Sequence, residues 1–115
     1  MIKIEDHKDG RLSLTIDGKT ETMFTQQLDD FILALAKARA EMLPEPEFEP
    51  ELDKPITTAY SPRFWVGSQP EIAGIQLMVR HFGYNWLSFM FRPEEAKQMI
   101  EMLNEQVASV EQGLS

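Results

Sequence analysis

Two histidines, His7 and His81, are the chain's only imidazoles, and cysteine is absent. A structural zinc site therefore lacks most of its usual ligands. Disulfide and thiolate chemistry are excluded outright. His7 lies beside a turn signal. His81 shares strand parity with Val79 and Leu77, which places it at the edge of a core and bonded to backbone. Ser61 and Ser88 stand outside any Gly-x-Ser-x-Gly elbow, and no triad can be assembled from their spacing. No glycine-rich cradle for phosphate occurs. The paired carboxylates Asp29–Asp30 and Glu94–Glu95 fall at helix starts, where the macrodipole accounts for them without catalysis. The acidic stretch in mid-chain lacks the glycine-bearing spacing of a calcium loop. These residue types supply no catalytic set, no metal site and no cofactor site, so the expectation is a protein that is not an enzyme.

A different constellation is more suggestive. A hairpin is expected over residues 75–91, where Ile75, Leu77 and Val79 alternate with Gln76, Met78 and Arg80. A three-residue loop pairing Val79 with Phe89 and Leu77 with Phe91 keeps these residues and Leu87 on one apolar face. That register is favoured because a one-residue slip would move every side chain across the sheet. Asn85 suits the left-handed position such a loop needs. On the other face Met78, Arg80 and Phe82 then meet Trp86, Ser88 and Met90, with Arg63 and Trp65 on a neighbouring strand. Trp, Met and Arg are enriched at the centres of protein interfaces. The same mixture suits single-stranded nucleic acid, with bases stacking on aromatics and arginines meeting phosphates. Coverage of this face by the first half of the chain, as a second core layer, is the plain structural alternative.

The elements that would position these residues are legible. Ile2 and Ile4 alternate with charged neighbours as a short strand, and Lys8-Asp9-Gly10 marks a turn. Leu12, Leu14 and Ile16 alternate strictly, Asp17-Gly18 turns the chain again, and Thr20 to Phe24 is β-prone. Thr25 is a candidate helix cap. Leu28, Phe31, Ile32, Leu35 and Met42 then recur at helical spacing until Pro44 and Pro46 end the run. Beyond residue 56, Thr57 to Tyr60 and Arg63 to Gly67 are strand-like around the Ser61-Pro62 bend. After the second hairpin, Pro93 suits the first turn of a helix. Its expected buried stripe is Ala96, Met99, Ile100, Leu103, Val107 and Val110, and Gly113 is the expected stop.

The fold expected is α+β: two meander-plus-helix units, βββα-βββα, forming antiparallel sheet with both helices on one side. The helix stripes correspond at an offset of 68, Leu28 with Ala96, Phe31 with Met99 and Leu35 with Leu103, although identities are nearly absent. Arg39 falls in the first stripe where the second has Val107, so it must snorkel, pair or meet another chain. The length suits a single domain, residues 1–115, made of a first unit (1–43), an acidic proline-rich connector (44–56) and a second unit (57–115).

The formal net charge is −8, and Glu41, Glu45, Glu47, Glu49, Glu51 and Asp53, with no base among them, account for −6 of it. The rest of the chain is close to neutral, and duplex nucleic-acid binding is disfavoured. The amino terminus lacks the apolar run of a signal peptide and no stretch is apolar enough to span a bilayer, so a cytoplasmic protein without membrane contact is expected. Together these features favour a noncatalytic protein-interaction module that acts as a homodimer and also has room for another protein partner. Single-stranded nucleic-acid binding through the hairpin face is the alternative. Docking of the acidic connector on a basic protein surface is a third, weaker reading.

Overall fold

The computed structural model describes residues 1–114, in the order βββα-βββα. The chain divides into two compact units, Met1–Thr57 and Thr58–Ser115, each holding one three-stranded antiparallel sheet and one helix. Of the two arrangements the sequence allows, one continuous sheet or two short ones, the chain forms two.

In the first unit β1 (Ile2–Asp6), β2 (Arg11–Ile16) and β3 (Lys19–Phe24) form a meander. Asp17 and Gly18 both take positive φ, 49° and 83°, the pairing a two-residue hairpin requires to follow the strand twist. The register sets Ser13 against Thr22 and Thr15 against Thr20. Their hydroxyls bond at 3.0 and 2.8 Å, a ladder of side-chain bonds beside the backbone one. Helix α1 (Thr25–Glu41) packs against β2 and β3. Leu28, Phe31 and Ile32 are half-buried, whereas Leu35 is 54% exposed, so only the first turns of α1 are covered.

Thr25 is the first helical residue of α1 rather than its cap. The Phe24 N–H donates instead to Gln27 Oε1 at 2.9 Å, because the longer amide reaches back over the first turn. The helix ends at Glu41, and Met42, expected in the stripe, is the extended residue that closes it. Arg39 turns to that end. Its guanidinium donates to the carbonyls of Met42 (3.3 Å) and Pro44 (3.0 Å), where the last orphan acceptors of the helix concentrate negative charge.

The second unit repeats the plan with β4 (Phe64–Gln69), β5 (Gly74–His81), β6 (Asn85–Phe91) and α2 (Pro93–Leu114). Thr57 to Tyr60 join no sheet, contrary to expectation: Ser61 takes a left-handed φ of 47° ahead of Pro62, and the chain enters the sheet only after that bend. β4 runs past Gly67 to Gln69, and a short 3-10 turn, Pro70–Ile72, leads into β5 through left-handed Ala73. Helix α2 packs against β5 and continues through Gly113 rather than stopping there.

The two helices start alike. The Arg92 N–H donates to Glu95 Oε1 at 2.9 Å, as Phe24 does to Gln27, and both pairs lie 68 residues apart. The echo between the units thus extends from the stripe to the helix entry. Neither unit buries an apolar side chain fully among the described residues; Ser13, at 9% exposure, is the buried polar one.

Candidate interaction surface

The second sheet's register differs from the expected one by two residues. Val79 pairs with Leu87, Leu77 with Phe89 and Ile75 with Phe91. The loop is still three residues, but it consists of Phe82, Gly83 and Tyr84, one step earlier than expected, and Asn85 is left-handed at φ 66°. A shift of two preserves side-chain parity, so the apolar set stays on its face. Phe82, however, leaves the strand for the loop and does not oppose Trp86.

The cause lies in His81. Its Nδ1 accepts from the backbone N–H groups of Gly83 (3.0 Å) and Tyr84 (3.2 Å), closing the loop from within. Its ring stacks on Phe82 with centroids 4.3 Å apart and leans on Tyr84 at 4.9 Å. His81 is half-buried and bonded to backbone, the role its strand parity suggests.

All six residues singled out from the sequence lie on one face. Across the three strands Arg63, Arg80 and Trp86 form one row, with the Arg80 N–H donating to the Arg63 carbonyl at 2.9 Å. Trp65, Met78 and Ser88 form the next row, then Gly67, Gln76 and Met90. Trp65 is 50%, Trp86 41% and Met90 47% exposed, and Met78 is half-buried. Within the second unit, therefore, this face is neither a closed core layer nor a fully solvated one.

Two glycines shape it. A Cβ on Gly67 would lie against the Trp65 ring, 2.6 Å from Cζ3 and 2.8 Å from Cζ2, so the indole lies flat across the glycine backbone. A Cβ on Gly74 would meet Met90 Sδ at 2.6 Å, so the thioether rests there likewise. Between them the Gln69 amide donates to Gln76 Oε1 (3.2 Å), and the Gln76 amide to Ser88 Oγ (2.9 Å). The result is a level surface: an apolar patch around a polar ladder, with two adjacent exposed arginines at one end. Like charges on neighbouring strands repel, and an acidic group placed between them would relieve the repulsion.

One side-chain pair escaped the sequence reading. In the first unit His7 Nε2 lies 2.7 Å from Ser13 Oγ, which also bonds Thr22 Oγ1 at 3.0 Å. The six-residue separation carries no motif, and only the β1–β2 register brings the pair together. Ser13 is nearly closed to solvent, so the trio works as a polar clip that fixes the β1–β2 loop. A pocket of about 200 Å³, lined by Leu12, Met23, Phe24 and Leu28, does not include the clip.

The remaining electrostatics are local and exposed. The Arg11 guanidinium, with Nη2 2.8 Å from Asp9 Oδ2, holds the Asp9 carboxyl below its ordinary value, and the Asp9 carboxylate raises that of Arg11. The Lys8 N–H on Asp6 and the Arg92 N–H on Glu95 lower those carboxyls in the same way. Among the described residues no cluster of His, Asp or Glu side chains converges as a metal site, and no helix is long and apolar enough to cross a membrane. No protein-family model, curated protein or solved structure matches this chain.

Proposed function

We propose that this chain is a noncatalytic protein-interaction module of the cytoplasm that works as a homodimer and receives a protein partner on the face of its second sheet that carries Trp65 and Trp86. The observation that carries the reading is the state of its apolar residues. Among the described residues none is fully buried, while Ile4, Leu35, Phe64, Leu103 and Val107 each remain more than half exposed. A soluble monomer rarely shows extended apolar surface, and such surface marks interaction sites. The sheet face adds what a partner needs for specificity: Trp65, Trp86 and Met90 as anchors, and Arg63 and Arg80 for an acidic group beside them. A composition without cysteine suits a reducing compartment.

The test compares proteins retained by the immobilised full chain with those retained by an Arg80→Ala/Trp86→Ala variant. The reading predicts proteins held by the first and lost by the second, with both forms of the chain folded and self-associated. Identical sets would overturn the assignment of the sheet face. Single-stranded oligonucleotide bound at low salt, and released by the same substitutions, would replace the protein partner with a nucleic acid.

A further inference from the structure

Helix α2 carries an exposed apolar seam beyond its first turns. Its first turns pack within the unit, where Pro93, Ala96 and Met99 are half-buried. From Ile100 to Gly113 every residue is exposed, a length of about 21 Å at 1.5 Å per residue. The apolar residues along this stretch are Ile100, Leu103, Val107 and Val110, exposed by 56, 57, 53 and 63%. Their spacing of three, four and three, continued back to Ala96 by four, is the a/d repeat of a coiled coil. Ile100 and Val107 are a positions, and Leu103 and Val110 are d positions.

The residues flanking this seam choose both the partner and its direction. Lys97, Asn104 and Glu111 occupy the e positions, and Met99, Gln106 and Gly113 the g positions. In an antiparallel pair e faces e and g faces g. A second copy running the opposite way then sets Lys97 beside Glu111 of the second copy and Glu111 beside Lys97 of the second copy. Asn104 meets its own equivalent near the two-fold axis. The same alignment stacks Ile100 on Val110 and Leu103 on Val107, and Gln106 on its equivalent along the other flank. In a parallel pair each g residue would face the e residue five positions on. That brings Met99 toward Asn104 and Gln106 toward Glu111 of the other copy, and joins no opposite charges. Neither Lys97 nor Glu111 forms an ion pair among the described residues.

We infer that the exposed seam of α2 pairs antiparallel with α2 of a second copy. The inference rests on the self-association proposed above, and its test separates the two. The dimer dissociation constant of the full chain is measured by sedimentation at low salt for the wild type, Lys97→Glu, Glu111→Lys and the double variant. Each single change turns two attractive flanks into repulsive ones, and the dissociation constant should rise roughly tenfold. The double variant restores opposite charges and should return to within about threefold of the wild type. A double variant no tighter than the single ones, or three variants equal to the wild type, would overturn the antiparallel seam while a homodimer still stood. A wild type that stays monomeric would overturn both.

Discussion

The flat seat of Trp65 on Gly67 can be tested by adding a single methyl group. In Gly67→Ala the new Cβ would meet the indole at Cζ2 and Cζ3, so the ring must lift from the strand. A tryptophan side chain buries at most about 250 Å². Trp65 is 50% exposed, so the covered half is about 125 Å². At ~25 cal/mol per Å² its full loss would cost about 3 kcal/mol, an upper bound because the lifted ring finds other neighbours. Replacing glycine within a strand returns about 0.5–1 kcal/mol of backbone entropy. The net expectation is a loss of about 0.5–2 kcal/mol. The assay is urea unfolding followed by tryptophan emission in a Trp86→Phe background, where Trp65 is the sole reporter. Emission of the folded Gly67→Ala protein should shift to the red and its midpoint should fall. An unchanged spectrum with an unchanged or higher midpoint would refute the seating of Trp65 on the glycine.

Other expectations follow from local geometry. Gln27→Ala removes the acceptor for the Phe24 N–H and should destabilise the first unit by about 0.5–1.5 kcal/mol, read as a lower Tm. Gly18→Ala forces a Cβ into a φ of 83° and should cost about 1–2 kcal/mol by chemical denaturation, with the β2–β3 hairpin losing amide protection first. Asp6, Asp9 and Glu95 have carboxyls lowered in the folded state, so their contribution is present above the ordinary carboxylate range. It is lost as pH falls through the lowered folded values, and Asp9→Asn should flatten the acid side of the stability profile. His7→Ala should loosen the β1–β2 loop, read as faster amide exchange at Lys8 to Gly10, and leave the second unit unaffected.

The sequence carried the elements well and the pairings less well. Strict alternation at Leu12, Leu14 and Ile16 and the Asp17-Gly18 turn located the β2–β3 hairpin, because period two and positive φ leave few alternatives. The helices were legible from their apolar spacing, but the burial expected of the second stripe is not met: Ile100, Leu103, Val107 and Val110 are all exposed, because only the first turns of α2 pack against the sheet. Parity also placed Arg63, Trp65, Met78, Arg80, Trp86 and Met90 on one face, although the register assumed for them was two residues off. Parity survives such a shift; the fate of Phe82 does not, since it depends on His81 closing the loop through backbone N–H groups. The seats on Gly67 and Gly74 and the His7–Ser13–Thr22 clip were invisible for a related reason. Each depends on residues brought together across strands, and no local pattern records them. Thr25 looked like a cap by type, yet the longer Gln27 side chain took the contact.

Exposed apolar surface on both units is the feature that the proposed function must explain, and a second copy of the chain is the explanation advanced. The most direct test is the molar mass of the full chain by light scattering at tens of micromolar. The account predicts twice the 13.3 kDa of one chain, falling toward one on dilution. A mass that stays at 13.3 kDa across that range would contradict it.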